Sequence, residues 1–318
     1  MKAILGQLIL SAVLILDSLP VLGEDLSFMM PPPPMPMPSA DGIAWPPPGG
    51  RPVAAPRPYD LGRPDATVSA NPAIIPPTVS CPPPIERVIE STWYYRLDTF
   101  SWNERSDGMD VVNEAGPIST LGYLRRNGPE RFRFELFGGT VAYDGAAMYL
   151  DGTTEPYHQS IGTNYLGIRG EYDLLIEPAA WSRMRLLAGV GTRFWIRDLR
   201  DAVTPMGGEV DGYQETWWTF YPYVGLETKE SDELGLQWFG SVRFGVTPLT
   251  YQHATYFETT VYPKCGVTGR AELGVHYQRL SFSAVVEAMT WSESADVRGT
   301  FQPASRMLTV GGQLGYTF

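Results

Sequence analysis

The chain has 318 residues, with 35 acidic against 24 basic side chains for a formal charge of -11, and it holds 29 prolines but only two cysteines. So acidic a chain lacks the basic footprint that nucleic-acid binding requires, and no nucleic-acid partner is expected. Of the prolines, 19 fall between Pro31 and Pro84, so the chain divides into two compositional regimes that must be read separately.

Residues 1–23 have Lys2, an apolar run from Ala3 to Leu16, and Val21-Leu22-Gly23 before Glu24 and Asp25. That is the layout of a secretory signal peptide, and Asp17 cuts the run too short to span a bilayer easily. Residues 24–84 carry the runs Pro31 to Pro34, Pro46 to Pro48 and Pro82 to Pro84 among Gly, Ala, Ser and Met. Such a segment favours polyproline II and buries too little apolar area to offset the entropy of folding, so a disordered tether is expected. Its alternative role is that of a ligand for a periplasmic Pro-binding partner.

After Ile85 there is no helical stripe and no apolar stretch long enough for a membrane helix. Period-two alternation recurs instead. Strands are predicted near 88–102, 117–126, 130–144, 164–176, 184–198, 215–229, 234–250, 267–279, 280–294 and 308–318. In residues 267–279 the outward set is Val267, Gly269, Ala271, Leu273, Val275 and Tyr277, against Thr268, Arg270, Glu272, Gly274, His276 and Gln278 inward. Long connections near 103–116, 145–163, 199–214, 251–266 and 295–305 alternate with short ones, as outer-membrane barrels require. The prediction is all-β: an antiparallel up-and-down transmembrane β-barrel of about ten strands over 85–318, preceded by the disordered Pro-rich segment.

Proline supports this, because it lacks the N–H that an interior strand donates, and most prolines after Pro84 fall in predicted connections. Pro222 is the exception and marks a bulge or a misplaced sixth strand. Aromatic residues favour a membrane–water boundary. Trp102, Trp195, Trp217, Trp218 and Trp291 are expected at the outer rim, with Trp93, Trp181, Trp238 and Tyr316 toward the periplasmic side.

Parity then places the charges. The spacing Arg, any residue, acid occurs at Arg96 and Asp98, Arg133 and Glu135, Arg169 and Glu171, and Arg270 and Glu272, which puts both members on one strand face. That face must be the lumen, since Arg facing lipid at the bilayer midplane costs about 2–4 kcal/mol. Arg185, Arg193, Arg243, Glu227 and Glu287 are expected to join them. Mixed signs suit a self-neutralising plug, whereas an ion-selective pore would carry one dominant sign.

Tyr316-Thr317-Phe318 resembles the C-terminal assembly signal of Gram-negative outer-membrane β-barrels, although Gln313 stands where that signal has a glycine and Gly312 is one place off. Glu114-Ala115-Gly116-Pro117 and Val141-Ala142-Tyr143-Asp144-Gly145 resemble stretches of uncharacterised outer-membrane proteins of this size, and residues 85–318 resemble small OmpA-like barrels in architecture. The resemblance implies an outer-membrane location with a periplasmic N-terminal segment, and outer-membrane lipids and the barrel-assembly machinery as partners. Ten strands is also the size of the omptin proteases, which use a His and Asp pair facing two further Asp residues at the outer rim. The matching ingredients here are His253, Asp144 and Asp198, with Asp201 nearby, but the adjacent acidic pair is missing.

His158 is expected alone in a loop and His276 in the lumen beside Glu272. Three scattered His and two distant Cys lack metal-ligand spacing, no phosphate-cradling glycine loop is present, and no cofactor is expected. A barrel's height separates Cys81 from Cys265, so no disulfide is expected. The leading reading is a non-enzymatic outer-membrane barrel with a charge-filled lumen and a structural or loop-displaying role. A narrow porin-like channel and a rim hydrolase are the alternatives.

Overall fold

In a computed structural model of the chain, residues 89–148, 154–178, 183–228, 235–297 and 299–318 are described. The expected signal peptide, the Pro-rich segment, Cys81 and Trp181 lie outside them. The elements are β1 (Ile89–Ser106), β2 (Met109–Asn127), β3 (Glu130–Met148), β4 (Thr154–Ile176), β5 (Met184–Leu199), β6 (Ala202–Val203), β7 (Glu209–Val210), β8 (Gln214–Thr228), β9 (Leu236–Thr247), β10 (Leu249–Ala254), β11 (Thr259–Val261), β12 (Gly266–Tyr277), β13 (Leu280–Trp291) and β14 (Ala304–Thr317).

Neighbouring strands pair antiparallel in chain order, β1 also pairs with β14, and β8 pairs with β9 to close the ring. β9 and β10 act as one strand interrupted at Pro248, so ten strands form a closed barrel, as the alternation predicts. Closure gives the ten barrel strands a neighbour on both sides. The chain turns tightly at one end, through Gly128-Pro129 and through Gln278-Arg279, and β1 begins and β14 ends there. We call this the turn end and the opposite one the loop end.

Each strand alternates an outward apolar residue with an inward polar or aromatic one. Leu97, Leu166, Val224 and Leu314 are exposed outside, whereas Arg96, Tyr165, Tyr223 and Thr309 are buried inside. Room for large interior rings comes from glycines on neighbouring strands. A Cβ at Gly122 would lie 2.0 Å from Cζ of Tyr94, and one at Gly191 would lie 2.3 Å from the Tyr221 ring.

The loop end departs from the sequence expectation. The connection expected over 103–116 is a tight hairpin at Asp107 and Gly108, both with positive φ (52° and 76°), and β3 and β4 likewise run into 145–163. The short hairpin β6–β7 lies in 199–214, and β10 and β11 pair in 251–266. These extensions carry polar residues on both faces, as at Asn103 and Glu104, so the apolar alternation that reveals a strand fades while the ladder continues. Pro156, expected in a loop, therefore sits in β4 opposite Ala146.

Pro222 lies within β8 opposite Val190, and the sixth strand is placed as expected. Its free side falls where β8 stops pairing with β9 at Tyr223 and resumes with β10 at Phe220, so no ladder bond is lost. The rim aromatics need a larger correction. Trp93, Trp218, Trp238 and Tyr316 do face outward, but Trp102, Trp195, Trp217 and Trp291 are buried at 0–2% exposure inside the lumen.

Candidate functional site

The lumen is the one place where chemistry-bearing side chains converge from all sides of the barrel, and it is layered. At the loop end Arg197 of β5 is ringed by three carboxylates: Glu104 Oε1 at 3.0 Å, Glu215 Oε2 at 2.9 Å and Glu114 Oε1 at 2.8 Å. Trp102 Nε1 donates to Glu104 at 2.8 Å, Trp217 Nε1 donates to Glu215 at 2.9 Å, and the Tyr165 hydroxyl donates to Glu114. Each indole thus anchors a carboxylate above while its ring packs below.

Below that ring sits the aromatic layer. Trp195 and Trp217 stack at 5.3 Å with an interplanar angle of 11°, and Trp102 lies 5.2 Å from Trp217 and 5.5 Å from Trp291. Met289 and Met307 pack against them. All four indoles are at most 2% exposed.

The middle layer is ionic. Glu135 accepts from Tyr94 Oη at 2.7 Å and from Arg96 and Arg270 at 3.2 Å each, with Arg169 at 3.5 Å. Glu287 accepts from Arg193 at 2.8 Å and from Arg169, and Glu171 accepts from Arg243 at 2.8 Å and from Arg169. Arg96 Nε also meets Asp98 at 2.7 Å. Each of these groups is about 95% buried or more, and a buried charge is tolerable only with such partners.

At the turn end Arg131 binds Asp173 (2.8 Å) and Glu227, Arg185 binds Glu227 (2.7 Å), and Glu272 accepts from Ser283 (3.0 Å) and Gln313 (3.2 Å). Arg133 lies 3.9 Å from Glu171 and 3.8 Å from Glu272, too far for hydrogen bonds. Among the described residues, the lumen below the aromatic layer buries eight arginines, at 96, 131, 133, 169, 185, 193, 243 and 270. Against them stand seven carboxylates, at 98, 135, 171, 173, 227, 272 and 287. A cavity of about 210 Å³ opens here, and His276, packed 4.2 Å from the Phe239 ring, lines it with Glu272.

The structure thus places every lumen charge named from the sequence inside the barrel. It adds Arg131, Asp173, Arg197, Glu104, Glu114 and Glu215, of which Glu104 and Glu114 fall in an expected loop. Strand parity could have found most of them, and the inward tryptophans too: Trp102 shares parity with Arg96 and Asp98, Trp195 with Arg193, and Trp291 with Glu287.

The rim-hydrolase ingredients are not assembled. His253 faces outward on β10 and its Nδ1 meets Thr260 Oγ1 at 3.1 Å, while Asp198 accepts from Asn164 at 3.2 Å on β4. Asp144 instead meets His158 Nδ1 at 3.1 Å, both well exposed, so His158 is a strand residue with a partner and not a lone loop histidine. Among the described residues no group of three or more His, Cys, Asp and Glu is arranged to hold a metal ion.

Hydrogen bonds from Arg105 (2.6 Å) and Asn103 hold the exposed Asp110 carboxyl below its usual range, and burial pushes the Cys265 thiol up.

No family model and no curated protein matches the chain. Among solved structures, the outer-membrane protease OmpT from Escherichia coli is similar over 73% of this chain and 97% of its own, at 10% identity and a TM-score of 0.45. The translocator domain of autotransporter NalP from Neisseria meningitidis matches over 72% and 88%, at 11% identity and a TM-score of 0.36. The P. putida toluene transporter TodX matches over 72% and 89%, at 9% identity and a TM-score of 0.27. The fold assignment stands on the chain's own strand pairing.

Proposed function

We propose that the chain is an outer-membrane barrel whose lumen lets no solute pass through and whose working surface is the array of strand extensions and hairpins at the loop end. The observation that carries this reading is the stack of occluding layers, the Trp102, Trp195, Trp217 and Trp291 cluster above the paired charges of Glu135, Glu171 and Glu287. A conducting pore needs a continuous wet path, and opposite charges that neutralise one another inside a narrow barrel work against one.

Membrane insertion is supported by the exterior, where Trp93, Leu97, Phe134, Leu166, Val224, Trp238, Phe244 and Leu314 are exposed round the ring. An apolar surface running round the whole molecule is foreign to soluble monomers. The turn end, holding the start of β1, is assigned to the periplasm, where the N-terminal segment would meet any Pro-binding partner. Outward rings at Tyr316 and Phe318 suit contact with outer-membrane lipids and with the barrel-assembly machinery. Exposed Val203, Met206, Tyr256 and Tyr262 at the loop end give the display surface an apolar component.

The test is conductance of the purified, folded protein in planar lipid bilayers. No stable steps are expected above the lipid baseline, and large stable steps would overturn the closed-lumen reading in favour of a channel. Cell fractionation with heat-modifiable gel migration tests the location separately.

A further inference from the structure

We propose that the turn-end cavity of the lumen is a binding site for a small oxyanion, a phosphate or carboxylate group, held chiefly by Arg133. Besides Arg126, three guanidinium groups, from Arg131, Arg133 and Arg243, line this 210 Å³ cavity, each more than 90% buried. All three keep donors without a hydrogen bond to protein: Nη2 of Arg131, Nε and Nη1 of Arg133, and Nε of Arg243. Arg131 and Arg243 are otherwise engaged, through Asp173, Glu227 and Glu171. Arg133 makes no hydrogen bond to any carboxylate, its nearest being at 3.8 Å.

The carboxylates that share the cavity are already committed. Glu227 is held by Arg131 and Arg185, and Glu272 by Ser283 and Gln313 with Arg270 at 3.5 Å. Glu90 stands opposite Arg126 across β1 and β2 at the mouth. Among the described residues, buried guanidinium groups outnumber buried carboxylates by one below the aromatic layer, so the balance there is positive. A buried guanidinium with unmet donors is costly, and Arg133, which lines the cavity, carries planar paired donors that match the two oxygens of a phosphate or carboxylate once the side chain turns them toward it. The aromatic layer closes the far side, so the ligand would enter and leave by the turn end.

The test uses the full chain folded in detergent micelles, with inorganic phosphate and acetate as probes and chloride at matched ionic strength as reference. At least one of the two oxyanions should raise the thermal midpoint saturably, and the stronger of them identifies the preferred class. Arg133→Gln should raise the half-saturating concentration at least about tenfold, as loss of a charged hydrogen bond implies, while Arg105→Gln at the loop end leaves it unchanged. Equal midpoints in phosphate, acetate and chloride, or a wild-type response in R133Q, overturn the proposal. Should R133Q fail to fold, phenylglyoxal labelling of the wild type decides: protection of Arg133 by the oxyanion over chloride supports the site, and equal labelling overturns it.

Discussion

Arg270 of β12 and Glu135 of β3 hydrogen-bond at 3.2 Å across the lumen, although four strands lie between them in either direction round the ring. Arg193 of β5 and Glu287 of β13 make a second strut at 2.8 Å between strands that are four apart. Such bonds tie opposite walls together, so lumen charges brace the ring as a unit and local pairs along one strand are only part of the network.

Glu135 is the hub of this bracing, and Glu135→Gln leaves Arg96, Arg169 and Arg270 without their shared anion. Breaking a buried pair by removing one partner costs about 3–5 kcal/mol. Urea unfolding followed by tryptophan fluorescence should show a loss of that order, with Glu209→Gln on the exposed β7 within about 0.5 kcal/mol of wild type.

Arg197→Met isolates three buried carboxylates beneath the loops. Loosening of the loop end at neutral pH is expected, read as faster proteolysis between Ser106 and Met109 and near β6 and β7. Because repulsion among Glu104, Glu114 and Glu215 then dominates, part of the lost protection should return as the pH is lowered and they take up protons. Protection that falls steadily with acidification would contradict this.

Trp102→Ala removes a fully buried ring that touches all three other lumen indoles and anchors Glu104. A cost of about 3–5 kcal/mol is expected for such a cavity. Near-ultraviolet circular dichroism should lose the exciton signature of the indole cluster, while the far-ultraviolet strand signal persists.

Gly122→Ala tests the packing of interior rings. The new Cβ would collide with the Tyr94 ring, which must swing away and surrender its 2.7 Å bond to Glu135. Overpacking of this kind costs about 1–3 kcal/mol. The double variant Gly122→Ala with Tyr94→Phe should fall short of the sum of the two single losses.

Cys265 tests both topology and acidity. Its raised thiol pKa leaves less thiolate at neutral pH, so alkylation by iodoacetamide should run slower than that of an unperturbed cysteine and accelerate into a higher pH range. Mass analysis without reduction should find no Cys81 to Cys265 bond, as the sequence reading expects, and detection of that bond would contradict the topology read from the sequence.

Strand number and order were legible because outward apolar residues alternate with inward polar ones through the band that faces outward, as in Val267 to Tyr277. Where both faces turn polar, near Glu104 and Glu114, the alternation vanishes and strands looked like loops. Pairs two residues apart, such as Arg96 and Asp98, were visible as spacing. His253, Asp144 and Asp198 looked like a set only because each stands near an outer strand end, and their outward parity separates them.

By itself, then, the sequence determined a closed ten-stranded barrel and which charges share its inner face, since period-two polarity admits one inside and one outside. Tertiary structure alone decided what those charges meet. Arg270 and Glu135 are 135 residues apart in the chain, and only ring closure and strand stagger bring them to 3.2 Å. The same closure turns four tryptophans expected at a membrane rim into a cluster inside the lumen, because a narrow barrel must fill its interior and inward parity left them nowhere else to go.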